Sequence, residues 1–273
     1  MSPVESDDED LTRKQRREQA RAERKALEEA ELAGAARRAR LMQLGVVVAV
    51  VVVAIVVVLV ATGGKGHKAA TPQVETAVST KVGKLLAGIP QSANALGEPT
   101  APVTIQYFGD LECPFCKEFS TNSLPLVIEK WVRTGKARIE YRSLETATRE
   151  PETFRTQQVA ALAAGKQGKL WEYVETFYNE QGEEDSGYVT EQFLQKIAQE
   201  VPGLNLATWT SDRGDSAFAN EVVADAQAAN TEGFNGTPSF LIGKTGGQLK
   251  KLEITSFTDP AQFNEAIEKL LAS

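Results

Sequence analysis

Apolar and polar positions follow three different patterns along the chain. Residues 41–64 carry no charged side chain and contain the run "VVVAVVVVAIVVVLV" at 46–60. At about 1.5 Å per residue, such a segment crosses a bilayer core of about 30 Å. Valine favours strands in water, but a lone segment in lipid can pair all its backbone N–H and C=O groups only as a helix. The pattern therefore predicts a transmembrane helix over 41–62. A cleaved signal peptide has an apolar core of about 7 to 15 residues behind a short leader. Here forty residues precede the run, so the helix reads as an uncleaved anchor.

The flanks of this segment look different from it and from each other. Residues 1–40 are rich in helix formers but have no apolar stripe, and read as a solvated, charged tail. Residues 63–86, opening with "GGKGHKAATPQ" (63–73), are small and polar and read as a flexible tether.

Patterning typical of a folded domain occupies 87–273, enough chain for one good core. "PVTIQYF" (102–108) is β-branched and aromatic, the composition of a buried strand. A helix should follow from Pro114, with Phe119, Leu124, Leu126, Val127 and Trp131 as its apolar residues and a kink at Pro125. "ARIEYRSL" (137–144) then reads as a second strand and completes a β-α-β unit. The stretch of about 147–232 reads as helical, with Leu170, Val174, Phe177 and Tyr178 on one face and Phe193, Leu194, Ile197 and Val201 on another. "PSFLIG" and "QLKKLEI" read as two short strands. A last helix has Asp259 as its cap, Pro260 in first position, and Phe263, Ile267, Leu270 and Leu271 facing inward. The plan is α/β, with a helical insertion between the second strand and the final hairpin.

Charge adds an orientation. The net charge is -7, and residues 1–40 hold ten Lys/Arg against ten Asp/Glu, so the negative balance falls entirely beyond the apolar run. Such a domain has no basic patch for a nucleic acid. Near the span, Arg21, Arg24, Lys25, Arg37, Arg38 and Arg40 outnumber Lys65, Lys68 and Lys81, which predicts a cytoplasmic N-terminus and an extracytoplasmic domain. Thiol pairs there can rest as disulfides.

Both cysteines of the chain lie in "GDLECPFCKEFS" (109–120), as Cys113 and Cys116. Their spacing suits a redox pair, half of a metal site or a short structural staple. Zinc takes about four ligands, and two cysteines with one distant histidine, His67, do not supply a Cys/His set. A structural disulfide over so short a loop adds only about 2 kcal/mol. Asp110 and Glu112 beside the motif read as solvated charges at a strand end, Trp171 and Tyr173 as core packing, and Phe115 as an exposed apolar contact.

Three segments together carry a resemblance: "LGEPTAPVTIQYFGDLECPFCKEF", "AALAAGKQGKLWEYVETFYNEQ" and "GFNGTPSFLIG". In that order and at those separations the chain resembles the DsbA-like thiol:disulfide oxidoreductases, which have a thioredoxin-like fold with an inserted α-helical domain. The likeness covers most of 87–271. It implies that Cys113 is an exposed nucleophile, that Cys116 is the resolving thiol, and that the Thr237-Pro238 bond is cis and faces the pair. Pro114, Phe115, Thr237 and Pro238 then support the site. A cysteine at a helix start is flanked by free N–H groups, which lower its pKa from about 8.5 into roughly 3.5 to 7.5.

The resemblance further implies no cofactor beyond the cysteine pair itself. Its expected partners are exported proteins that are still folding, and a membrane redox partner of the DsbB or vitamin K epoxide reductase type. Strong oxidants of this family commonly carry a histidine where this chain has Phe115, so a weaker oxidant is expected. The alternatives are a membrane-anchored reductase, for example in cytochrome maturation, and a noncatalytic binding or sensor protein.

Overall fold

The computed structural model describes residues 73–273. The expected tail (1–40), the transmembrane helix (41–62) and the first half of the tether lie outside the described residues. No helix among the described residues is long and apolar enough to cross a membrane.

The second half of the expected tether is a helix, α1 (Ala77–Leu86). Thr76 caps it reciprocally: its Oγ1 accepts from Ser79 N at 3.0 Å, while Ser79 Oγ accepts from Thr76 N at 2.8 Å. Val82 and Leu86 are buried, with Val78 and Leu85 packed beside them, so a narrow apolar stripe hides in an otherwise polar stretch. Two short strands, β1 (Gln91–Ser92) and β2 (Ala95–Leu96), lead to the long central strand β3 (Val103–Gly109).

The single kinked helix expected after β3 is three pieces. Helix α2 (Pro114–Thr121) ends at Asn122, α3 (Ser123–Val127) follows, and a π-helical turn covers Ile128–Val132. Pro125 cannot donate a helical hydrogen bond, which accounts for a break in this region rather than a continuous ladder. Strand β4 (Ala137–Ser143) then pairs parallel to β3. The helical insertion consists of α4 (Pro151–Gly165), α5 (Leu170–Glu180), α6 (Glu191–Glu200), α7 (Leu206–Asp212) and α8 (Ser216–Thr231).

Strand β5 (Ser239–Lys244) is antiparallel to β3, and of "QLKKLEI" only β6 (Lys250–Lys251) pairs. The final helix, α9, spans Ala261–Ala272. Its cap position is Pro260, one residue later than expected, although Asp259 Oδ1 still accepts from Ala261 N at 2.9 Å. Phe263 and Ile267 face inward, but Leu271 is 38% exposed.

The sheet order is β1-β2-β4-β3-β5-β6. Register sets Tyr107 beside both Tyr141 and Phe240 on one face. There Phe119 of α2 and Phe263 of α9 pack edge-on against Phe240, each with ring centroids 4.9 Å away. On the other face Phe108, Leu144 and Leu241 pack with Ala229 of α8. The C-terminal end of β3 thus emerges between two packed layers, with α2 starting directly beyond it.

Candidate active site

Gly109 closes β3 where three aromatic side chains crowd the backbone. A Cβ there would sit 3.0 Å from the rings of Tyr107 and Tyr141 and from the Tyr178 hydroxyl. The chain then turns through Asp110, Leu111 and Glu112, with Cys113 N donating to Asp110 O at 3.1 Å. Cys113 occupies the cap position of α2, in extended conformation, and Pro114 takes the first helical position. No side chain caps this helix, so its first N–H groups are free to serve the sulfur.

The two thiols, both free, are chemically unequal. The neighbouring Cys116 thiol, by hydrogen bonding, lowers the Cys113 pKa to about 7. Burial opposes this, and the Thr237 side chain and the N–H groups of Cys116 and Phe115 reinforce it. Full burial pushes Cys116 well above its ordinary value, and the charge of Cys113 pushes it further. The Asp110 backbone and the Tyr107 hydroxyl lower it by less.

The Thr237-Pro238 bond is cis, and its loop lies against the pair. Cys113 Sγ donates to Thr237 O at 3.3 Å. The Thr237 and Thr146 hydroxyls are 2.5 Å apart, tying this loop to the segment after β4. All six residues expected at the site are therefore gathered around the start of α2 and the loop that faces it. One expectation is corrected: Cys113 is only 4% exposed, because the Thr237 loop covers it. Pro114 and Phe115 are the exposed members, Phe115 at 55% with its ring 5.7 Å from that of Phe257.

Asp110 and Glu112 are also corrected, since both are buried rather than solvated. Asp110 Oδ2 accepts from the N–H groups of Thr146, Ala147 and Thr148 at 3.0, 2.9 and 2.9 Å. Its Oδ1 accepts from Thr148 Oγ1 at 2.6 Å and from Glu112 N at 3.1 Å. The loop before the cysteines and the loop after β4 thus share one carboxylate. Burial raises the Glu112 pKa, a hydrogen bond from Thr148 opposes this, and the nearby acids Asp110, Asp185 and Glu184 add to the rise. Trp171 and Tyr173 are core residues, as expected. Trp171 Nε1 donates to Asn94 O at 3.1 Å and the Tyr173 hydroxyl to Leu194 O at 3.3 Å.

Several supporting residues carry no signal in the sequence. The Tyr107 hydroxyl donates to that of Tyr178 at 3.0 Å, and Tyr178 donates to Asp110 O at 3.2 Å. Ser120, one turn beyond Cys116, donates to the buried Glu175 at 2.9 Å. Each pairing joins segments more than fifty residues apart, which no local pattern reveals.

A family model described as thioredoxin matches residues 91–269. The chain belongs to the thioredoxin family. Disulfide bond formation protein D of Bacillus subtilis is 24% identical over 181 residues, covering 64% of this chain and 76% of that protein. Among solved structures, oxidised BdbD of Bacillus subtilis superposes with a TM-score of 0.56 at 22% identity, over 67% of this chain and 97% of that one. The alpha-DsbA1 of Wolbachia pipientis gives 0.54 at 22% identity, over 68% and 92%. Within the thioredoxin family, then, the chain has the DsbA-like architecture, its helical insertion included. With an activated thiol at a helix start, a buried partner one turn on and a cis-proline loop opposite, it is a thiol:disulfide oxidoreductase.

Proposed function

We propose that this oxidoreductase is a membrane-anchored, extracytoplasmic oxidant that forms disulfides in exported proteins. The observation that carries the reading is the inequality of the two thiols. A thiolate held at Cys113 by α2 favours the reduced pair, which makes the oxidised pair the better electron acceptor. Anchoring and location rest on the charge-free run at 41–64 and the Lys/Arg bias around it. The naming of relatives for disulfide bond formation agrees with the direction.

In the first step a client thiolate attacks Cys113 Sγ of the Cys113–Cys116 disulfide. Cys116 leaves as a thiolate and, buried with a raised pKa, takes up a proton. The client's second thiolate then attacks the client sulfur of the mixed disulfide, and Cys113 leaves as a thiolate. Two electrons have passed from the client to the pair, and one client disulfide has formed. A membrane partner of the DsbB or vitamin K epoxide reductase type then removes the two electrons. The Thr237 backbone, beside the sulfur and just before strand β5, offers a client segment main-chain groups to pair with.

A second reading keeps the chemistry and reverses the flow. A Cys113 value of about 7 equals the approximate value for thioredoxin, and Phe115 leaves the motif without a histidine. Equilibrating the full-length protein in detergent with glutathione buffers, while trapping its resting thiol state in cells, separates the two. A potential well above about -270 mV with the pair oxidised at rest is the expected result. A potential near that value with both thiols reduced at rest makes the protein a reductase.

A further inference from the structure

Helix α5 ends, in space, where the cysteine motif begins, and the residue that follows it is Gln181. Its backbone leaves the helix at φ -55 and ψ 126, and its side chain turns inward to only 8% exposure. An amide buried this far needs acceptors for its protons. Nε2 finds two, the carbonyl oxygens of Leu111 at 2.7 Å and Cys113 at 3.1 Å. The grip is returned from the other side, because Lys117 Nζ of α2 donates to the Gln181 carbonyl at 3.0 Å.

We propose that Gln181 is a positioning residue for thiol exchange, holding the Leu111–Cys113 backbone so that the N–H groups opening α2 stay aimed at Cys113 Sγ. The peptide joining Cys113 to Pro114 explains why such a residue is needed. Proline has no N–H, so that peptide plane can be held by hydrogen bonds only through its carbonyl oxygen. Lys117 N takes one lone pair of this oxygen at 3.1 Å, as the first helical bond of α2. Gln181 takes the other, and with both sides occupied the plane does not swing. The N–H groups of Phe115 and Cys116, which help lower the Cys113 pKa, keep their direction. The helical insertion is thereby part of the active site without touching a client, and the role is the same whichever way electrons flow.

The test uses the full-length protein in detergent with Gln181→Met, which keeps length and apolar bulk but has no N–H donor. Gln181→Glu, which sets acceptors against both carbonyls, is the second variant. The alkylation rate of Cys113 is followed from pH 5 to 10. Gln181→Met is expected to raise the Cys113 pKa by about one unit, a roughly tenfold loss of thiolate at pH 6. Gln181→Glu moves it further in the same direction. A glutamine that merely fills space predicts a lower melting temperature with an unmoved profile, and a shift of less than about 0.3 unit in a folded variant overturns the proposal. Should neither variant fold, the unaltered protein decides. The Gln181 side-chain amide protons are expected to exchange slowly with solvent and to shift when the pair is oxidised. Exchange at the rate of a free glutamine amide, with no shift, refutes the assignment.

Discussion

Replacing Asp110 tests the claim that one carboxylate joins the two loops beneath the thiols. In Asp110→Ala five donors lose their acceptor: the N–H groups of Glu112, Thr146, Ala147 and Thr148, and the Thr148 hydroxyl. Thr146 lies where water can reach it, and the Thr148 hydroxyl can rotate, so the three buried N–H groups of Glu112, Ala147 and Thr148 set the cost. At about 1 to 3 kcal/mol for each stranded donor, the change costs about 3 to 9 kcal/mol. That is comparable with the whole stability of a domain, about 5 to 15 kcal/mol. Asp110→Asn keeps one carbonyl oxygen for the Thr146–Thr148 cluster and strands mainly Glu112 N, so about 1 to 3 kcal/mol is expected. Urea unfolding with both thiols reduced measures the two, with an unchanged m-value as the check that the transition remains comparable. The reasoning fails if alanine costs less than about 2 kcal/mol, or if asparagine is no milder than alanine.

Two other perturbations separate the effects of charge and burial. Burial holds the Glu175 carboxyl up at about 8, against the lowering influence of Ser120 and Lys81. The folded protein therefore keeps a proton that the unfolded chain releases above about pH 4.3, and stability is lost as pH rises from there to about 8, by about 1.4 kcal/mol per unit. Glu175→Gln should be closest to the parent at about pH 4, exceed it by a few kcal/mol at pH 8, and flatten that slope in urea titrations; an unchanged slope contradicts the assignment. Phe115→His places an ionisable cation at an exposed position of the motif. It should lower the Cys113 pKa by about one unit and raise the potential by about 30 mV against glutathione, and an unmoved potential would mean that the Cys116 thiol, Thr237 and the N–H groups of α2 set the thiolate without any contribution from that position.

What was legible in the sequence is what depends on near neighbours. The β3-α2-β4 unit follows from a β-branched run, a proline at a helix start and a second apolar run, all within about forty residues. The cysteine pair and the Thr237-Pro238 loop were legible only because three separated segments match one family together. The misreadings have a shared cause. Asp110 looks like a solvated strand-end charge until Thr146–Thr148 are folded over it, and Cys113 looks exposed until Thr237 covers it, 124 residues away. Helix α1 was hidden for another reason: two fully buried apolar residues, Val82 and Leu86, suffice to dock it when a capping box fixes its start. A tether and a lightly anchored helix differ by that little in sequence.

The insertion and the cis-proline loop both hold the motif, through different residues, and this bears on which sulfur is attacked. Tyr178 holds the Asp110 carbonyl, Glu175 holds Ser120 beyond Cys116, and Gln181 holds Cys113, all from the one helix α5 or its end. An exchange enzyme must offer one sulfur of its disulfide to a client and hide the other, since attack at the wrong sulfur leaves the client bound to a buried thiol. Cys116 is 0% exposed and lies one turn further into α2, whereas Cys113, at 4%, sits against the Thr237 loop, so of the two sulfurs Cys113 is the less enclosed. Holding the backbone on both sides of the cysteine pair keeps the exchange partners aligned and reduces the reorganisation each step requires. On this view the insertion does more than enlarge the domain: it supplies half of the frame that makes two cysteines three residues apart behave as an entry sulfur and a leaving sulfur.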